Sequence, residues 1–172
     1  MIQQPADNTT GSIANPKQVF LIERNSDDIA LARRAISHVG HAVHLEVLQT
    51  ADALKETISS DNSCACPDLI LIDLQLYSDA RQSENVFGLV SWLRQSPRAL
   101  HTPIVMISAL NSEENIWRSY EAGANSVIAK PVAFTEYAAV LKEVCSYWLN
   151  LSVRPHCKDV RPPAQHIAKA IS

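Results

Sequence analysis

The sequence predicts an α/β fold: a five-stranded parallel sheet, doubly wound, with helices on both faces. Three observations carry that prediction. Short apolar runs of strand length recur along the chain, and helix-spaced apolar patterns lie between them. Most of the runs are continuous rather than alternating, as in strands covered on both faces. The strict order of strand, helix, strand, helix is met most simply by parallel strands joined through crossover helices.

Val19-Phe20-Leu21-Ile22 is the first such run. Ser26 is placed to cap the following helix, Asp27 and Asp28 suit its positive end, and Leu31, Ala32, Ala35, Ile36 and Val39 recur at helical spacing up to Gly40. Val43, Leu45 and Val47 alternate with His44 and Glu46, which suits a strand nearer the sheet edge. Ala51 to Ile58 reads as a helix capped by Thr50, and Leu69 to Ile72 is the third strand, with Asp73 at its tip. A polar loop, Tyr77 to Glu84, precedes the helical pattern Phe87, Leu89, Val90 and Leu93, and its place beside a strand tip suits function.

Ile104 to Ile107 is the fourth strand and runs into Ser108. Ser112 caps the next helix, with Glu113 and Glu114 in its first turn and Gly123 beyond its last. Val127 to Ala129 ends at Lys130-Pro131. The final helix, Phe134 to Leu149, places Phe134, Tyr137, Ala138, Leu141, Val144 and Trp148 on one side. Residues 1–17 read as a flexible N-terminal extension, 18–149 as the domain and 150–172 as a C-terminal tail.

The 172 residues, 47% hydrophobic and 19% charged, suit one globular domain. A net charge of −3 provides no broad basic field for nucleic acid, and no run approaches membrane-spanning length. The first 17 residues lack the apolar core of a signal peptide, so a cytoplasmic location is expected. Cys64 and Cys66 are spaced too closely for a metal knuckle, and Cys145 and Cys157 are distant in sequence. Free thiols and no metal cluster are expected.

Three strand tips now converge, bringing Glu23, Arg24 and Asn25, Asp73, and Ser108 together with Lys130 from the fifth strand. Pro67 to Leu74, Pro103 to Ser108 and Glu121 to Pro131 resemble the receiver domain of bacterial response regulators, and the resemblance covers about Gln18 to Leu149. Ile22 to Asp28 and Trp148-Leu149 look most like the small single-domain receivers that partner phytochrome-type histidine kinases. The resemblance implies a flavodoxin-like (βα)5 fold and no enzymatic activity of its own. It implies Asp73 as phosphoacceptor from a sensor histidine kinase or phosphotransfer protein, with Ser108 and Lys130 binding the phosphoryl group, and a cis Lys130-Pro131 bond.

The chain departs from the family at Arg24, where the resemblance calls for an acid that binds Mg²⁺. Counting Glu23 and Asp73 against Arg24 and Lys130 leaves a neutral pocket. No metal, or weak Mg²⁺ through Glu23, Asp73 and Gln75, is therefore expected. Two roles are open to Arg24: tying up Asp73, or supplying positive charge in place of the metal. Val127 replaces an aromatic that reports phosphorylation in the family. Two functions follow: a stand-alone phosphorelay response regulator, or a phosphorylation-independent pseudo-receiver acting as an interaction module. Trp117, Tyr120, Tyr137, Tyr147 and Trp148 on the last two helices suggest a homodimer interface.

An aspartyl phosphatase would want a second acid two places after the first, and Gln75 stands there. A nucleotide-binding turn would want glycines that Glu23 to Ser26 lack.

Overall fold

The computed structural model describes residues 16–39, 42–60, 66–77, 85–109 and 112–155. The expected N-terminal extension up to residue 15, the loop beyond Tyr77 and the tail from residue 156 lie outside the described residues.

Five strands, β1 (Lys17–Ile22), β2 (Val43–Leu48), β3 (Leu69–Asp73), β4 (Ile104–Ser108) and β5 (Ser126–Ala129), alternate with five helices. These are α1 (Ser26–Ile36), α2 (Ala51–Ser59), α3 (Val86–Gln95), α4 (Glu113–Ala122) and α5 (Phe134–Ser146). The strands pair in the order β2-β1-β3-β4-β5, every pair parallel. β2 is an edge strand, as its alternation predicts. From β1 the chain steps outward to β2 and then back to β3, so a crevice opens between the C-terminal ends of β1 and β3.

Successive strand residues point to opposite faces, which explains why the runs are continuously apolar. Phe20, Ile22, Ile70, Ile72, Ile104 and Met106 pack against Leu54 and Ile58 of α2 and Leu89 and Leu93 of α3. Val19, Leu21, Leu71, Val105 and Ile107 pack against Ala32 and Ile36 of α1 and Leu141 and Cys145 of α5. The central strands are thus buried on both sides, and only their tips carry polar side chains.

The local signals hold with five corrections. Asn25, not Ser26, caps α1, its Oδ1 accepting the Asp27 and Asp28 amides, because Asn25 is the last extended residue before the helix. That helix ends at Ile36 rather than near Gly40. Along α5 and the turn after it the buried line is Tyr137, Leu141, Cys145 and Leu149, at four-residue spacing, and Phe134 in the first turn is 62% exposed. Every described peptide bond is trans, Lys130-Pro131 included, the ordinary preference even before proline. Cys145 is a buried free thiol, but Cys66 is in a disulfide whose partner lies outside the described residues. Sequence spacing does not report which thiols folding brings together.

After α5 a π-helical turn, Tyr147–Leu151, carries the chain back to the sheet, where Arg154 pairs with Asp68 and donates to the Pro67 carbonyl. Folded structure therefore continues past residue 149. No described helix is long and apolar enough to cross a membrane.

Candidate functional site

β1 ends in Glu23, which is 4% exposed. Its Oε1 accepts the backbone amides of Arg24 and Asn25 at 2.7 and 2.8 Å, so the carboxylate folds over the turn that follows it. Asn25 then caps α1, and the first turn of that helix carries Asp28 to the same pocket. Asp73 closes β3, 2% exposed, with Oδ1 accepting the Gln75 amide at 2.6 Å as the chain enters a short 3₁₀ turn, Leu74–Tyr77. Ser108, buried at the tip of β4, offers its carbonyl to the Lys130 amide at 2.8 Å and so fixes where β5 ends.

Lys130 reaches back across the strand tips. Its Nζ donates to Asp73 Oδ2 at 3.0 Å, to Glu23 Oε2 at 3.5 Å and, most closely, to Asp28 Oδ2. Burial, and after it a hydrogen bond with Asp73, push the Glu23 carboxyl up to about 7. Burial would draw the Lys130 ammonium down, but hydrogen bonds to Asp28 and Asp73 and the nearby negative charge outweigh it and raise the group. Glu23, Arg24, Asn25, Asp28, Asp73 and Gln75 line a cavity of about 240 Å³ over this cluster.

Residues 19–142 match the model of the response regulator receiver domain. The chain belongs to that family. The probable methanogenesis regulatory protein FilR2 of Methanothrix harundinacea is 24% identical over 143 residues, 82% of this chain and 89% of the relative. The response regulator Rcp1 of Synechocystis is 24% identical over 145 residues, 81% of this chain and 94% of that protein. Among solved structures, the phosphorylated cyanobacterial phytochrome response regulator RcpA superposes with a TM-score of 0.73 at 22% identity, covering 82% of this chain and 99% of its own. The Mn²⁺-bound form of Rcp1 gives 0.71 at 22% identity, over 82% of this chain and all of the other. These likenesses show the receiver fold over most of the chain.

The receiver's acidic residues fit a divalent cation. Carboxylate oxygens of Glu23, Asp28 and Asp73 lie within 4.8 Å of one another, and hard oxygen donors of this kind suit Mg²⁺ or Mn²⁺. The neutral charge count is corrected on two sides. Arg24 is exposed, and among the described residues its guanidinium makes no ion pair with Asp73 or any other acid. Asp28, which sequence reading assigned to the helix dipole, stands in the pocket instead. Three carboxylates face one ammonium, formally −2. The signal for Asp28 was its place on the first turn after β1, where a cap holds the helix end over the crevice.

Of the other predicted residues, Gln75 lines the cavity and Val127 packs against the core. Trp117, Tyr120 and Tyr147 are exposed, as an interface needs. Trp148 is half-buried, edge-on to Tyr147 and packed against the core. Tyr137 is 2% exposed and cannot serve in an interface, because it faces the sheet between α1 and α5.

Proposed function

We propose that this receiver acts as a stand-alone response regulator of a two-component phosphorelay, accepting a phosphoryl group on Asp73. The observation that carries the reading is the setting of Asp73. It is a buried carboxylate at the β3 tip, oriented by the Gln75 amide and touched by Lys130, with the buried Ser108 ending the neighbouring strand. In the transfer, an Asp73 oxygen attacks phosphorus as the P–N bond of a donor phosphohistidine breaks, and an acyl phosphate forms. Lys130 neutralises a phosphoryl oxygen, and the Ser108 hydroxyl donates to another. A divalent cation bound by the pocket carboxylates would supply further neutralising charge to the phosphoryl group. The donor is a sensor histidine kinase or phosphotransfer protein in the cytoplasm. The working unit is residues 18–149, extended by the docked Arg154.

A pseudo-receiver is the second reading. It is favoured by the hold of Asp28 on Lys130 and by the absence of an aromatic at Val127. Incubation with acetyl phosphate and Mg²⁺, followed by intact mass, separates the two. Gain of one phosphoryl group that Asp73→Asn abolishes is expected, and no gain at any acetyl phosphate concentration leaves the interaction module.

A further inference from the structure

We propose that Asp28 supplies the metal-binding carboxylate this receiver lacks beside Glu23, by exchanging the Lys130 ammonium for a divalent cation. The inference rests on the receiver reading of the pocket but not on phosphorylation of Asp73.

The ammonium of Lys130 contacts all three carboxylates, Glu23, Asp28 and Asp73, so it already occupies the place of a cation. Two ligands of one Mg²⁺ ion stand at most twice a bond length apart, about 4.0–4.2 Å. The pocket oxygens lie within 4.8 Å of one another. The set therefore closes around a metal ion by moving inward as the ammonium leaves its centre. Position 24 contributes no such donor, since Arg24 carries the wrong charge and its side chain lies exposed.

Independent of the acids, Tyr137 beneath Lys130 carries an unsatisfied polar group. Tyr137 is almost fully buried, yet its hydroxyl has no hydrogen-bond partner among the described residues. Lys130 lies over its ring at 5.3 Å, and the charges of Lys130, Asp28, Glu23 and Asp73 all act on the hydroxyl. A buried donor without an acceptor is costly. With the ammonium withdrawn, a carboxylate oxygen of Asp28 or a water on the metal becomes the acceptor it lacks.

The exchange has a functional consequence. While Asp28 grips Lys130, the cation that should meet a phosphoryl oxygen is committed elsewhere. Metal uptake at Asp28 frees the ammonium from that carboxylate and leaves it to its contact with Asp73, so metal binding prepares the pocket for the phosphoryl group. Glu23 and Asp73 are each held by backbone amides, which leaves Asp28 and Lys130 as the pair able to move.

Mn²⁺ is the probe, with free ion counted by electron paramagnetic resonance during titration of the full chain. Asp28→Asn should weaken Mn²⁺ binding by about tenfold or more, and Lys130→Met, which removes the resident cation, should tighten it about threefold or more. Mg²⁺ should also perturb the near-ultraviolet tyrosine signal of wild type, and Tyr137→Phe should lose that perturbation. Equal Mn²⁺ affinity in wild type and Asp28→Asn overturns the proposal, as does the absence of Mn²⁺ binding in wild type. Should Asp28→Asn not fold, Lys130→Met decides alone: affinity no tighter than wild type rejects the exchange. Mn²⁺ binding that depends on Asp28 without phosphoryl gain by mass removes the phosphoacceptor reading and keeps this one. Phosphoryl gain with Mn²⁺ binding indifferent to Asp28 does the reverse.

Discussion

Glu23 and Arg24 are adjacent in sequence and opposite in fate. Glu23 is drawn inward by two backbone amides, whereas Arg24 lies exposed at the rim of the same pocket without an ion pair to its acids among the described residues. Arg24→Ala should therefore change stability by no more than about 0.5 kcal/mol, the range of an ordinary surface substitution. Thermal melts at neutral pH check this, and a loss beyond about 1 kcal/mol would return the guanidinium to the acids. Glu23 carries the opposite expectation. The folded chain holds its proton up to about pH 7, whereas an ordinary carboxyl releases it near 4.5. Between those values the folded state binds more protons than the unfolded one, so this contribution is full below pH 4.5 and lost as pH rises toward 7. In chelator-treated buffer, Glu23→Gln should flatten the stability profile across that window. Above it, the variant should gain on wild type by on the order of 1–2 kcal/mol, the shift being discounted for screening. A constant difference between the two proteins at every pH would rule out the proposed proton-holding by Glu23.

At the scale of elements, short polar devices decide where each helix begins and ends, and so what it presents to the pocket. Asn25 sets α1 over the crevice and thereby delivers Asp28. At the opposite end of the sheet, Arg94 of α3 donates to the carbonyls of Gly123, Thr102 and Leu100 and to Asn125 Oδ1, tying α3, β4 and the end of α4 together. Gly123 ends α4 at φ 107°, and a Cβ there would stand 2.7 Å from Arg94 Cγ. Gly123→Ala therefore combines an unfavourable backbone conformation with a clash against a side chain that four acceptors hold in place. The expected loss exceeds about 1 kcal/mol, read as a lower urea midpoint at unchanged slope. A midpoint equal to wild type would mean that Arg94 is free to move aside.

At the scale of the whole molecule, exposed aromatics among the described residues stand on the last two helices. Trp117 is 69% exposed on α4, Tyr120 lies beside it, and Tyr147 follows α5, whereas the other face of each helix is packed. Aromatics of this kind are favoured anchors between copies of a chain, and a two-fold dimer joins like faces. Sedimentation should show dimers at tens of micromolar, a range set by roughly 6–7 kcal/mol of association energy. Trp117→Ala should shift the population to monomer. Wild type that stays monomeric at these concentrations excludes the face as an interface of this strength.

Sequence alone determined the five strands, their order of helix and strand, the edge position of β2, and the strand tips that carry Asp73, Ser108 and Lys130. These follow from hydrophobic periodicity, from caps such as Thr50 and Ser112, and from Gly123, all of which act within a few residues. It misplaced Phe134, whose helical spacing matches the apolar side of α5 but whose turn lies ahead of the buried line. It also counted Arg24 against the charge of Asp73, which its guanidinium does not pair with, while Asp28 was read as serving its own helix. Only the tertiary structure decided that exchange, because the direction in which a side chain leaves a cap is set by how α1 lies across the crevice. The same holds for Lys130, which meets Glu23 across 107 positions and Asp28 across 102. Electrostatic partners so distant in sequence leave no periodic trace, and the charge of the pocket follows from them.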